Sequence, residues 1–153
     1  MQKHALLAFA IVALLGAGPH ARPADVSQDE AVKQFKEALQ GKWQMTARIE
    51  DGTPSEAELI KNRTITFVGD EYTVRDREKI ISELSYKIDL SKKPAWLDVV
   101  AKNAKDAAPG IGIIKLEGDT LTFCVATGRP RPDDFKSEQG EGRLLLEFKK
   151  VKK

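Results

Sequence analysis

Histidine is nearly missing from this sequence: its 153 residues carry two, His4 and His20, and both fall before residue 25. A chain processed beyond that point has no imidazole. That excludes a Ser-His-Asp or Cys-His catalytic site, histidine zinc ligation and proximal-histidine haem binding. Cysteine is scarcer still, and Cys124 alone cannot form an internal disulfide. It alternates with Phe123 on a strand, where neither a base nor a helix amino terminus activates a thiol, so it reads as a small packing residue. Long apolar runs are absent but for residues 5–15, which are too few to span a bilayer.

That run has a purpose of its own. Lys3 precedes it and Gly16, Gly18 and Pro19 follow, which is the charged start, apolar centre and small-residue exit of a secretory signal peptide. We assign residues 1–24 to the signal and residues 25–153 to one mature domain, placed outside the cytoplasm as a secreted or periplasmic protein. Of the 25 Lys and Arg, Lys3 and Arg22 lie in the signal, against none of the 23 acids, so the formal charge falls from +2 to zero. A neutral domain has no field with which to collect nucleic acid. With no disulfide it must be held by its core, and a domain of this size buries roughly two thirds of its unfolded surface.

The mature chain opens with one helix. Ser27 and Glu30 form a capping box, Ala31, Val32, Phe35, Ala38 and Leu39 share a face, and Gly41 can end the helix in a left-handed conformation. From Lys42 the punctuation is all-β. Trp43, Met45, Ala47 and Ile49 alternate with polar residues, which places those four on one face of a first strand. Residues 55–61 have room for one helical turn. Phe67 leads through Gly69-Asp70 to Tyr72 and Val74 as a hairpin, and Leu84, Tyr86, Ile88, Leu97 and Val99 continue the inward set. Gly112, Ile114 and Leu116 pair across Gly118-Asp119 with Leu121, Phe123 and Val125, and a last strand carries Leu144, Leu146 and Phe148.

Eight antiparallel strands close into a barrel that is filled by side chains or holds one small ligand, with a two-sheet sandwich as the rival. The inward residues Met45, Ala47, Ile49, Phe67, Tyr72, Val74, Tyr86, Gly112, Ile114 and Phe123 are then either packed core or the wall of an apolar cavity, and alternation alone does not separate the two. A binder needs small side chains toward its open end and a few polar groups to orient a guest; Ala47, Gly112, Tyr72 and Tyr86 suit those roles. The long loop at 127–142 is charge-balanced around Arg129, Arg131, Asp133 and Asp134, which suits a partly ordered lid or a contact for a protein partner. Acids at 50, 51, 56 and 58 match no EF-hand spacing, so no metal or cofactor is expected.

Gly41-Lys42-Trp43 at the mouth of a first strand resembles the opening of lipocalin-like barrels, in which the tryptophan plugs the closed end. A wider similarity adds Phe67-X-Gly69-Asp70, Lys92-Lys93-Pro94 before Leu97-Asp98, Gly112-Ile113, the run from Leu116 to Leu121, Cys124, and Arg131-Pro132 before Phe135-Lys136-Ser137. Together these resemble an uncharacterised family of exported lipocalin-like domains from planctomycete bacteria, from which the chain departs at Trp96. The resemblance implies an all-β fold, an eight-stranded antiparallel lipocalin-like barrel with one N-terminal helix. It also implies that Gly41 and Trp43 are structural and that Arg143 or Lys149 lies over the indole. It brings no catalytic residue. The expected function is non-catalytic binding of a small apolar molecule; the alternative is a packed barrel that meets a protein partner through loop 127–142.

Overall fold

A computed structural model describes residues 27–104 and 106–152, and the assigned signal at 1–24 lies outside them. Helix α1 (Gln28–Leu39) starts where Glu30 N–H donates to Ser27 Oγ at 3.3 Å, with Asp29 and Glu30 in the first turn and Lys36 in the last, as the helix dipole favours. Gly41, at φ +103°, turns the chain directly into strand β1 (Gly41–Glu50). A two-residue β2 (Thr53–Pro54) folds back on the end of β1, and a short helix α2 (Ala57–Asn62) follows. Seven more strands complete the chain: β3 (Arg63–Val68), β4 (Glu71–Asp76), β5 (Lys79–Asp89), β6 (Ala95–Ala101), β7 (Gly110–Glu117), β8 (Thr120–Thr127) and β9 (Arg143–Lys150).

Every neighbour is antiparallel, and β9 pairs back on β1 from Trp43 opposite Lys150 to Glu50 opposite Leu144. That seam closes an eight-stranded barrel, with β2 a spur outside the ring, and it removes the sandwich alternative. The expected N-terminal helix is present, and α2 makes a second.

The seam also carries an irregularity that alters the inward set. Met45 faces Phe148 and Ala47 faces Glu147, so one extra residue sits in β1 at Thr46. A bulge of this kind shifts a strand's alternation by one residue. Trp43 and Met45 point into the barrel as expected. Beyond the bulge Arg48 stands opposite the inward Leu146, while Ala47 and Ile49 are turned to the outside. Ala47 and Ile49 are therefore not cavity wall, and the side chain in their stead is an arginine.

Candidate functional site

The barrel interior divides into a filled half and a hollow half. At the β1 entry, Leu39, Trp43, Phe67, Tyr86, Leu97, Ile114, Leu121 and Phe148 are all buried. Trp43 Nε1 donates to Leu39 O at 2.7 Å, so the indole is fastened to the end of α1. The cation over its ring is Lys150, with Nζ 4.4 Å from the centroid. Lys150 Nζ also donates to Ala38 O at 2.9 Å and to Gln40 O, and burial pulls its ammonium below the ordinary lysine range against the opposing charge of Asp119. Gln40 ties this end to the β3–β4 turn, accepting from Gly69 N–H at 2.7 Å, and Tyr86 donates from its hydroxyl to Gly69 O at 2.8 Å.

Aromatic rings form the floor between the halves. Phe67 and Tyr72 lie 5.1 Å apart, Tyr72 and Phe123 6.5 Å, and Phe123 stacks on Phe148 at 5.3 Å. Burial raises the Tyr72 phenol well above its ordinary pKa, so it stays protonated. Above the floor the lumen opens into two lobes. One, about 230 Å³, is bounded by Met45, Ile65, Tyr72, Val74 and Leu146 together with Arg48 and Arg63. The other, about 360 Å³, runs from Tyr72 past Leu84, Val99 and Val125 to Ala107 and Ala108. Both lobes share Tyr72, Leu84, Phe123, Leu144 and Leu146.

Of the residues expected in a cavity wall, Met45, Tyr72, Val74 and Phe123 line these lobes. Phe67, Tyr86 and Ile114 line neither lobe: Phe67 is part of the aromatic floor, and Tyr86 and Ile114 are buried in the same core. Gly112 lines neither lobe; a Cβ there would meet Cys124 O at 2.3 Å, so its role is to let β7 and β8 approach. Arg63 was legible from parity, since it opens β3 and is in phase with Ile65 and Phe67. Arg48 was hidden by the bulge.

Arg143 is not over Trp43. It stands at the opposite end of β9, where Nη1 pairs with Asp134 at 2.9 Å and Nη2 with Asp133 at 3.3 Å. There it anchors the 128–142 segment, which is not a lid over the mouth but a strap on the outer wall. Arg131 fixes the strap's other part: Nη1 donates to Gly112 O at 2.6 Å and Leu97 O at 3.1 Å, Nη2 pairs with Asp98 at 2.6 Å, and the guanidinium lies 4.3 Å from the Trp96 ring centroid. Beneath it Ile113, Cys124 and Ala126 are buried outside the barrel, and the strap's own Pro132 is buried as well.

The Cys124 thiol donates to Lys136 O at 3.3 Å, and burial pushes its pKa up to about 11. A thiol held protonated under a strap reacts slowly. Cys124 is expected to resist an aromatic disulfide reagent in the native protein and to react completely in denaturant; rapid native labelling would show that the strap lifts.

Among the described residues no helix is long and apolar enough to cross a membrane, and no group of three or more His, Cys, Asp or Glu is placed to hold a metal. Fold and site together define a closed antiparallel barrel, plugged at one end and hollow at the other. No family model, curated protein or solved structure matches this chain.

Proposed function

We propose that this protein is an exported, lipocalin-like binding module that carries a small apolar molecule in the open half of its barrel and performs no catalysis. The observation that carries this reading is the hollow above the Tyr72 and Phe123 floor. Its larger lobe, about 360 Å³, is at the small end of the roughly 300–1,000 Å³ of ligand sites, and its wall is largely aliphatic and aromatic. A barrel serving only as a scaffold gains by filling such space, because interiors pack to crystal-like density. Export rests on the signal at residues 1–24. The absence of chemistry rests on a mature chain without histidine and on a buried, protonated Cys124.

The test is a neutral reporter dye, N-phenylnaphthylamine, whose emission rises in apolar surroundings. The purified protein is expected to enhance and blue-shift that emission saturably. Leu146 borders both lobes, so Leu146→Trp fills them. That variant is expected to weaken dye binding at least tenfold, about 1.4 kcal/mol, without lowering the melting temperature. Unchanged dye affinity in the variant, or no enhancement by the native protein, would leave the barrel without a carrier role.

A further inference from the structure

The hollow half is not uniformly apolar. Two guanidiniums border its smaller lobe, from β1 and from the start of β3, which pair only over Gly41–Gln44 and separate where Arg48 and Arg63 stand. Their side chains are 22% and 18% exposed, whereas the acids they meet, Glu50 and Asp76, are 60% and 41% exposed. The cations are thus set deeper than their counter-ions. Arg48 has a partner on each terminal nitrogen, with Nη2 on Glu50 at 2.7 Å and Nη1 on Ser55 Oγ at 2.9 Å. Arg63 does not. Its Nη2 reaches Asp76 only at 3.5 Å, the outer limit of a hydrogen bond, and its Nε is buried with no hydrogen-bond partner.

A buried donor without an acceptor is costly, and a container for a wholly apolar guest would be better served by an aliphatic side chain at this position. A guanidinium presents paired N–H groups whose geometry matches a carboxylate. We propose that the ligand is a single-tailed anionic amphiphile, its tail lying between Met45, Ile65, Val74 and Leu146 and its carboxylate head taken by Arg63, with Arg48 beside it. The lobe volumes leave room for one tail and not for a two-tailed lipid. Asp76 competes with the incoming head for Arg63, so binding exchanges a long, rim-exposed contact for a short one. The inference rests on the carrier reading and adds the chemistry of its guest.

The test displaces N-phenylnaphthylamine from the purified protein with dodecanoate and, separately, with dodecanol, which has the same tail and no charge. Dodecanoate is expected to displace the dye at tenfold or more lower concentration than dodecanol. Arg63→Leu should abolish that preference and leave displacement by dodecanol unchanged. Asp76→Asn, which removes the competitor and leaves the guanidinium in place, should strengthen dodecanoate binding severalfold, and it decides the matter on its own should Arg63→Leu not fold. Equal displacement by acid and alcohol, or an acid preference untouched by both substitutions, would overturn the headgroup assignment while leaving the carrier standing. Failure of the dye itself to bind would remove both.

Discussion

Trp43→Ala is expected to lower the unfolding free energy by about 3–5 kcal/mol, the range for removing a large buried aromatic side chain. The indole is buried at the plugged end, where Leu39 and Phe148 are equally enclosed. Its loss opens a void and also strands Leu39 O, which accepts the Nε1 proton at 2.7 Å, and takes the ring from beneath Lys150. An unsatisfied buried carbonyl adds about 1–3 kcal/mol where the site cannot admit water. Domain stabilities are about 5–15 kcal/mol, so the loss is a large share of the total. Urea titration followed by circular dichroism measures the loss, and the remaining tryptophan emission reports Trp96 alone. Trp43→Phe should recover most of the burial but not the hydrogen bond, and so fall between. A loss below about 1 kcal/mol for the alanine variant, the size of one ordinary hydrogen bond, would mean that this end of the barrel is not held by the indole.

Gly112→Ala should cost nearly as much, for the opposite reason. An added Cβ would come within 2.3 Å of Cys124 O and 3.0 Å of Val125 Cα, both backbone atoms of β8. Side-chain rotation cannot relieve such a contact. Strand β7 is held from the other side by β6, where Gly112 faces Leu97, and from outside by Arg131 on Gly112 O. The expected loss is about 3 kcal/mol, the upper end of overpacking costs. Gly118→Ala is the comparison: φ is +60° there, but no atom lies within 4 Å of the added Cβ, so only the left-handed backbone cost of about 1–2 kcal/mol applies. If the two substitutions cost the same in thermal melts, the close approach of β7 and β8 is not a constraint on the fold.

The barrel itself was legible because period-two alternation survives in most of its strands. Tyr72 and Val74, Leu121 and Phe123, and Leu146 and Phe148 share the interior, as their spacing requires. The helix before Gly41 was legible from its cap and one-sided face. Ala47 and Ile49 were misread because nothing at Thr46 in the sequence marks a bulge, and one inserted residue reverses all that follows. The hollow was not legible at all. Phe67, Tyr86 and Ile114 have the same sidedness as Met45 and Tyr72, yet only the latter two border the lobes, a difference of position along the barrel that alternation does not carry. The Lys150 contact with Trp43 was missed in favour of Arg143 or Lys149 because it depends on the register of β9 against β1, which joins residues far apart in the chain.

That join also sets an order of events. Strand β1 emerges first during synthesis, yet its second partner is the final strand, so the ring cannot close until Lys150 has left the ribosome. Until then β1 and β8 present raw hydrogen-bonding edges, and closing a loop of roughly a hundred residues is entropically slow. The hairpins from β3 to β8 join only sequence neighbours and need not wait, so the β1–β9 seam is the last join to form and the step at which an unclosed ring can meet a second chain instead.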